Sequence, residues 1–179
     1  MRKRLAWLGT KVGEQQKKRG KLASTPPNVV AVSSNEIFIV HGHNSETKTN
    51  VARFIEKLKL KPIILHEQPN QGRTIIEKFE AHTNVGYAVV LLTADDIGGT
   101  KLTSSDKLKP RARQNVIFEL GYFVGKLGRM QVCALHETGV EILSDYEGVV
   151  YVPLDGDAWQ LKLAKEIKAA GFDIDMNDL

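Results

Sequence analysis

The chain has 179 residues, of which 42% are hydrophobic, and a formal net charge of +4. That is enough apolar content for one ordinary buried core plus an extension, and it excludes a chain disordered throughout. The single cysteine, Cys133, excludes an internal disulfide, and its run Val132-Cys133-Ala134-Leu135 marks it as a core residue rather than a nucleophile. No apolar run approaches the ~18 residues of a membrane span, and Leu5-Ala6-Trp7-Leu8 is too short for a signal peptide, so no membrane partner and a cytoplasmic location are expected.

The positive charge is unevenly placed. Residues 1–22 carry eight Lys and Arg against one acid, Glu14, so the rest of the chain is net acidic. A nucleic-acid face on the folded part is therefore not indicated; nucleic acid is expected to touch this chain only through the basic arm, if at all. Leu5, Leu8 and Val12 have helical spacing that Gly9 and Gly13 weaken, and Ser24-Thr25-Pro26-Pro27-Asn28 reads as a linker. The expected division is a basic arm and linker over 1–35 and one domain over 36–179.

From residue 36 the pattern becomes regular. Ile37-Phe38-Ile39-Val40 is a strand that ends in His41-Gly42-His43-Asn44. Ser45 is the expected N-cap of a helix whose Val51, Phe54, Ile55 and Leu58 follow at i, i+3, i+4 and i+7. Pro62-Ile63-Ile64-Leu65 is a second strand, Ile75, Ile76 and Phe79 mark a short helix, and Tyr87-Ala88-Val89-Val90-Leu91-Leu92 is a strand buried on both faces. A polar loop over 94–109 precedes a helix expected over about 110–127, with Pro110 in its first turn. Two more strands, Val132-Cys133-Ala134-Leu135 and Val149-Val150-Tyr151-Val152, lead to a helix over about 158–170 that Gly171 stops. Alternating strands and helices of this kind predict an α/β fold: a five-stranded parallel sheet in flavodoxin-like order with helices on both faces.

Open parallel sheets bind ligands beyond the carboxyl ends of their strands, near the point where strand order reverses. Three unusual segments fall there: His41 to Asn44, Glu67 to Arg73, and Thr93 to Arg113. On the helix that follows, at about 100° per residue, Val116, Ile117, Leu120, Phe123, Val124 and Leu127 share a sector of about 120°. Asn115, Glu119 and Tyr122, spaced i, i+4 and i+7, form a polar strip on its flank. A carboxylate at the edge of a buried stripe is partly desolvated, and its Asn and Tyr neighbours are placed to hold it or a ligand hydroxyl. The plainer reading is a boundary glutamate, solvated or paired with a basic loop residue. Phe118 lies on the opposite side, either under a loop or against a partner.

The remaining candidates are weaker. His41 and His43 flank a glycine at a strand end, but no second cluster with metal-ligand spacing accompanies them, so a ligand-contacting turn is preferred to a metal site. Gly72-Arg73 opens a helix, a natural place for a phosphate, and Arg111 and Arg113 lie at another helix start. Asp95-Asp96 suits ribose hydroxyls, magnesium or simply a turn. No G-x-G-x-x-G or P-loop lysine is present, which argues against a dehydrogenase of the doubly wound type and against a P-loop NTPase.

Four blocks together carry a family resemblance: Ile37-Phe38-Ile39-Val40-His41-Gly42-His43, Gly72-Arg73-Thr74-Ile75-Ile76-Glu77, Ala88-Val89-Val90-Leu91-Leu92-Thr93-Ala94-Asp95-Asp96, and Arg113-Gln114-Asn115-Val116-Ile117-Phe118-Glu119-Leu120-Gly121. Over roughly 36–154 the chain resembles the bacterial predicted nucleotide-binding proteins with a Toll/interleukin-1 receptor-like (TIR-like) domain. That resemblance implies an NAD glycohydrolase acting in antiphage defence, with NAD as substrate and no cofactor. It places the catalytic carboxylate at Glu119 and makes Glu77, the acid of the earlier block, mainly structural. NAD is then expected across the loops 41–45, 67–73 and 93–113 and the polar strip, with His41, Gly42, His43, Asn44, Arg73, Thr93, Asp95, Asp96, Arg113, Asn115 and Tyr122 as its contacts. The resemblance also implies a homo-oligomer on activation and an upstream sensor domain or partner protein. Two other classes stay open: a nucleoside or nucleotide N-glycosidase or deoxyribosyltransferase, and a non-catalytic nucleotide-binding or scaffolding module.

Overall fold

The computed structural model describes residues 34–65, 75–143 and 148–178. All but the last two residues of the expected arm, and the segment from Glu67 to Arg73, lie outside that range. The strands are β1 (Glu36–Val40), β2 (Lys61–Ile64), β3 (Tyr87–Leu92), β4 (Asp96–Gly98), β5 (Lys109–Arg111), β6 (Val132–His136) and β7 (Val150–Pro153). The helices are α1 (Ser45–Lys57), α2 (Ile75–His82), α3 (Gln114–Leu127) and α4 (Ala158–Ala169). Five strands form one sheet in the order β2-β1-β3-β6-β7, every pair parallel. This is the expected flavodoxin-like order, and it reverses direction between β1 and β3.

Alternation along the strands divides the core into two layers. Ile37, Ile39, Tyr87, Val89, Leu91, Cys133 and Leu135 face one way, against Val51, Phe54 and Ile55 of α1 and Trp159, Leu163 and Ile167 of α4. Phe38, Val40, Ala88, Val90, Leu92, Val132 and Ala134 face the other way, against Val116, Leu120 and Phe123 of α3. The rings of Phe38 and Phe123 sit 4.8 Å apart across that layer. Because β3 is apolar at every position and central, all six of its residues are buried. Cys133 is wholly buried in β6, and burial pushes its thiol up to about 12, so it is a packing residue.

Two local expectations are corrected. The N-cap of α1 is Asn44 rather than Ser45: its backbone is extended and its Oδ1 accepts from the Thr47 amide at 3.0 Å. An Asn cap of this kind stabilises a helix by about 1 kcal/mol. The helix expected from Pro110 begins four residues later, at Gln114. A residue before proline is pushed toward extended backbone, and Lys109–Arg111 forms an antiparallel ladder with Asp96–Gly98 instead. Pro110 is tolerated there because a two-stranded ladder is all edge. The loop over 94–109 therefore contains a hairpin arm, and Arg111 lies on it, ion-paired with Glu141, instead of at the helix start.

Candidate active site

Three strand ends are tied together at the carboxyl edge of the sheet. After β3, Asp95 takes the Thr93 hydroxyl on Oδ2 at 2.7 Å and the His43 amide on Oδ1 at 3.1 Å. The backbone of the β1 loop can come this close because residue 42 is glycine: a Cβ there would stand 1.8 Å from Asp95 Oδ2. After β6, Glu137 accepts from Asn44 Nδ2 at 2.9 Å and from the Ala94 amide at 2.8 Å. Two carboxylates thus bind the loops after β1 and β3 to each other and to the end of β6. Arg113, the N-cap residue of α3, donates from Nη1 to His43 Nε2 at 2.8 Å. A guanidinium has no acceptor, so the imidazole presents a bare Nε2 to it. A cavity of about 480 Å³ opens beside this ring, between Asp95, Asp96, Arg111 and Gln114. A second, of about 460 Å³, lies between α1 and α4 and touches none of the expected site residues.

Glu119 occupies the polar strip of α3. The strip's orientation is fixed by its second half, where Lys126 Nζ donates to Thr83 Oγ1 at 2.7 Å and the Tyr122 hydroxyl lies 3.2 Å from the same oxygen. Since the Thr83 hydroxyl donates to the Glu80 carbonyl at 3.0 Å, Tyr122 is the donor to Thr83. Thr83 follows α2, so the strip faces the α2 side of the layer, and Glu119 lies one turn nearer the sheet's carboxyl edge. Its side chain is half-buried, and burial raises its pKa from 4.5 to about 7. Among the described residues no group donates a hydrogen bond to it or pairs with it.

The expected residues divide accordingly. The structure brings His43, Asn44, Thr93, Asp95 and Arg113 into one hydrogen-bonded ring with Gly42 under it. His41 is turned back on its own loop, its Nδ1 donating to the Gly42 carbonyl at 2.8 Å. Asp96 and Asn115 are exposed, and Glu77 is exposed on α2. Arg73 lies outside the described residues. Tyr122 is engaged by Thr83 and Lys126, a turn below Glu119. Glu137 escaped the sequence reading, although it is the first residue after an apolar strand at the edge where ligands bind. Among the described residues no group of three or more His, Cys, Asp or Glu could hold a metal ion.

Residues 36–156 match the family described as CAP12/Pycsar effector protein, TIR domain. The chain belongs to this TIR family. It is 49% identical over 151 residues to the uncharacterized protein YuaY of Escherichia coli (strain K12), a match covering 83% of this chain and 50% of that protein. It is 35% identical over 136 residues to protein tirC of Dictyostelium discoideum, covering 71% and 68%. Over 69 residues it is 36% identical to the Pycsar effector protein BcPycTIR of Burkholderia cepacia, covering 37% of this chain and 22% of that protein. The chain thus spans about half the length of the first of these relatives. The family match begins at the first residue of β1 and ends three residues past β7, so it takes in the whole sheet and the whole hydrogen-bonded ring.

Proposed function

We propose that this TIR domain is an NAD glycohydrolase that depletes NAD in antiphage defence, with Glu119 as its catalytic carboxylate. The observation that carries the reading is the state of Glu119: half-buried, free of any described partner, and held near neutrality by desolvation alone. Perturbed groups of this kind concentrate where chemistry is done. In the reaction, the bond between nicotinamide and the ribose C1′ breaks and its electron pair leaves with nicotinamide, which becomes neutral. The ribose passes through an oxocarbenium-like state that the ionised Glu119 stabilises, as carboxylates do in glycoside hydrolysis. Water adds to C1′ and releases one proton, giving ADP-ribose. The leaving group needs no proton, so one carboxylate suffices.

The ring at the carboxyl edge binds the rest of the substrate in this reading. Arg113 and the helix start behind it face the diphosphate, and Arg73, outside the described residues, is the second cation expected to bind it. His43 holds Arg113, while Asn44 and Asp95, whose polar atoms are taken up by the protein, keep the two loops in place. The active form is a homo-oligomer whose neighbour completes the site, switched by an upstream sensor domain or partner protein. Concentrated protein incubated with NAD, with products separated over time, tests the activity. Release of nicotinamide supports it. Cleavage of deoxynucleosides with NAD left intact assigns the site to an N-glycosidase or deoxyribosyltransferase, and a protein inert toward both leaves a binding module.

A further inference from the structure

We propose that Glu137 is a positioning residue for the substrate, acting as a carboxylate brace that sets the spacing of the two ligand-facing loops. The proposal rests on the NAD-cleaving reading above. Its footing is the polarity of the bonds. Asn44 Oδ1 is committed to the Thr47 amide at 3.0 Å, so the Asn44 Nδ2 hydrogens must point at Glu137. The other oxygen of Glu137 meets the Ala94 amide at 2.8 Å, which can only donate. The backbone of Glu137 is itself anchored, its amide donating to the Leu92 carbonyl at 3.1 Å. Two donors converge on one side chain from strand ends far apart in sequence. Only a group with two acceptors serves both.

Glutamine at 137 supplies one acceptor and one amide, so whichever way it turns, one N–H faces another. Glu137→Gln therefore cuts one of the two braces while changing little in size. Bonds to ionised groups are the stronger class, so the brace is stiffer than an amide could make it. The loops it spaces carry His43 and, through His43, Arg113 at the start of α3; Glu119 lies more than a turn further along that helix, and none of these bonds reaches its side chain. A loosened brace should therefore weaken substrate binding and spare the chemical step.

The polarity argument supplies its own rescue. In the pair Asn44→Asp with Glu137→Gln, the aspartate accepts from the Thr47 amide and from glutamine Nε2, while glutamine Oε1 accepts from Ala94. Total charge is kept and every bond is remade with one of them reversed. With NAD as substrate, Glu137→Gln is expected to raise KM about tenfold with kcat within about twofold, and the double variant to return KM to within about threefold of wild type. An unchanged KM, or a fall in kcat at unchanged KM, overturns the proposal. A double variant no better than Glu137→Gln also overturns it and makes Glu137 a direct substrate contact. Amide hydrogen exchange at Ala94 and Thr47, measured on the same proteins without NAD, should rise in Glu137→Gln and recover in the double variant. If wild type cleaves no NAD, the reading of the reaction fails, and the exchange result alone decides whether the brace exists. Should Glu137→Gln not fold, Glu137→Ala, which leaves both donors to water, carries the comparison of KM with kcat and of amide exchange against wild type.

Discussion

Glu119 sits where a helix turns from its buried seam toward the edge of the layer, and its chemistry follows from that position. Burial without a partner favours the neutral acid, so the folded-state pKa of about 7 stands above the 4.5 of the unfolded chain. The native state then holds more protons than the unfolded state between those values, and stability falls as pH rises across that window. Glu119→Gln has no such penalty. Its melting temperature should match wild type near pH 4 and exceed it at pH 8, by an amount equivalent to about 1–2 kcal/mol. Equal stability at both pH values would mean that the carboxyl is solvated. The proposed catalysis would run the opposite way, because an oxocarbenium needs the ionised form. The value of kcat/KM for NAD should rise with pH and level off above about 7, reporting the free enzyme. A profile flat from pH 5 to 8 would remove Glu119 from that role. Gly42 is the other single residue with a sharp demand: a methyl there meets Asp95 Oδ2 at 1.8 Å. Gly42→Ala should cost roughly 1–3 kcal/mol in a melting experiment and loosen the β1 loop, since overpacking at a tight contact is relieved only by moving the neighbour.

At the scale of elements, the start of α3 is where sequence and structure part company and where the function is most exposed to test. Proline suggested a helix from 110, but the residue before it is driven extended, and the pairing that captures Lys109–Arg111 involves β4, across the loop. Periodicity says nothing about such a partner. The same limit explains the site. Gly42, His43, Thr93 and Asp95 were legible because each follows an apolar run at the edge where ligands bind, and Arg113 because it lies at a helix start there. Their mutual bonds were not, since Arg113 and His43 are 70 residues apart and Glu137 and Asn44 are 93 apart. Glu119 was legible as part of a strip; that Tyr122 would turn from it toward Thr83 was not, because a helical wheel gives a face but not its neighbour. Arg113→Ala tests the element as a binding device. Removing one charge-assisted bond to a diphosphate costs about 1.5–3 kcal/mol, so KM should rise about tenfold or more while the protein stays folded. A KM equal to wild type would put the diphosphate elsewhere.

For the whole molecule, the sheet order, the two-layered core and the family were readable from the sequence because strand alternation and the four sequence blocks carry them. The proposed assembly would depend on the surface instead. Phe118, on the face of α3 turned from the core, is 72% exposed, and Ile97 and Leu102 on the loop over 94–109 are 73% and 95% exposed. Phe118 is thus not packed beneath that loop. If the active form is an oligomer, specific activity should climb with protein concentration, as mass action requires. Phe118→Ser should then stay folded and lose that dependence. Activity per molecule constant over roughly a hundredfold range of concentration would exclude assembly as the switch. The most direct test of the mechanism remains turnover at the carboxylate itself. Wild-type and Glu119→Gln proteins, both shown to be folded by melting, are incubated with NAD at high protein concentration and nicotinamide release is followed. In the proposed mechanism several kcal/mol of barrier would rest on the carboxylate, and each ~1.4 kcal/mol is tenfold in rate, so release by Glu119→Gln should drop at least a hundredfold. A variant that keeps half the wild-type rate would contradict the role of Glu119.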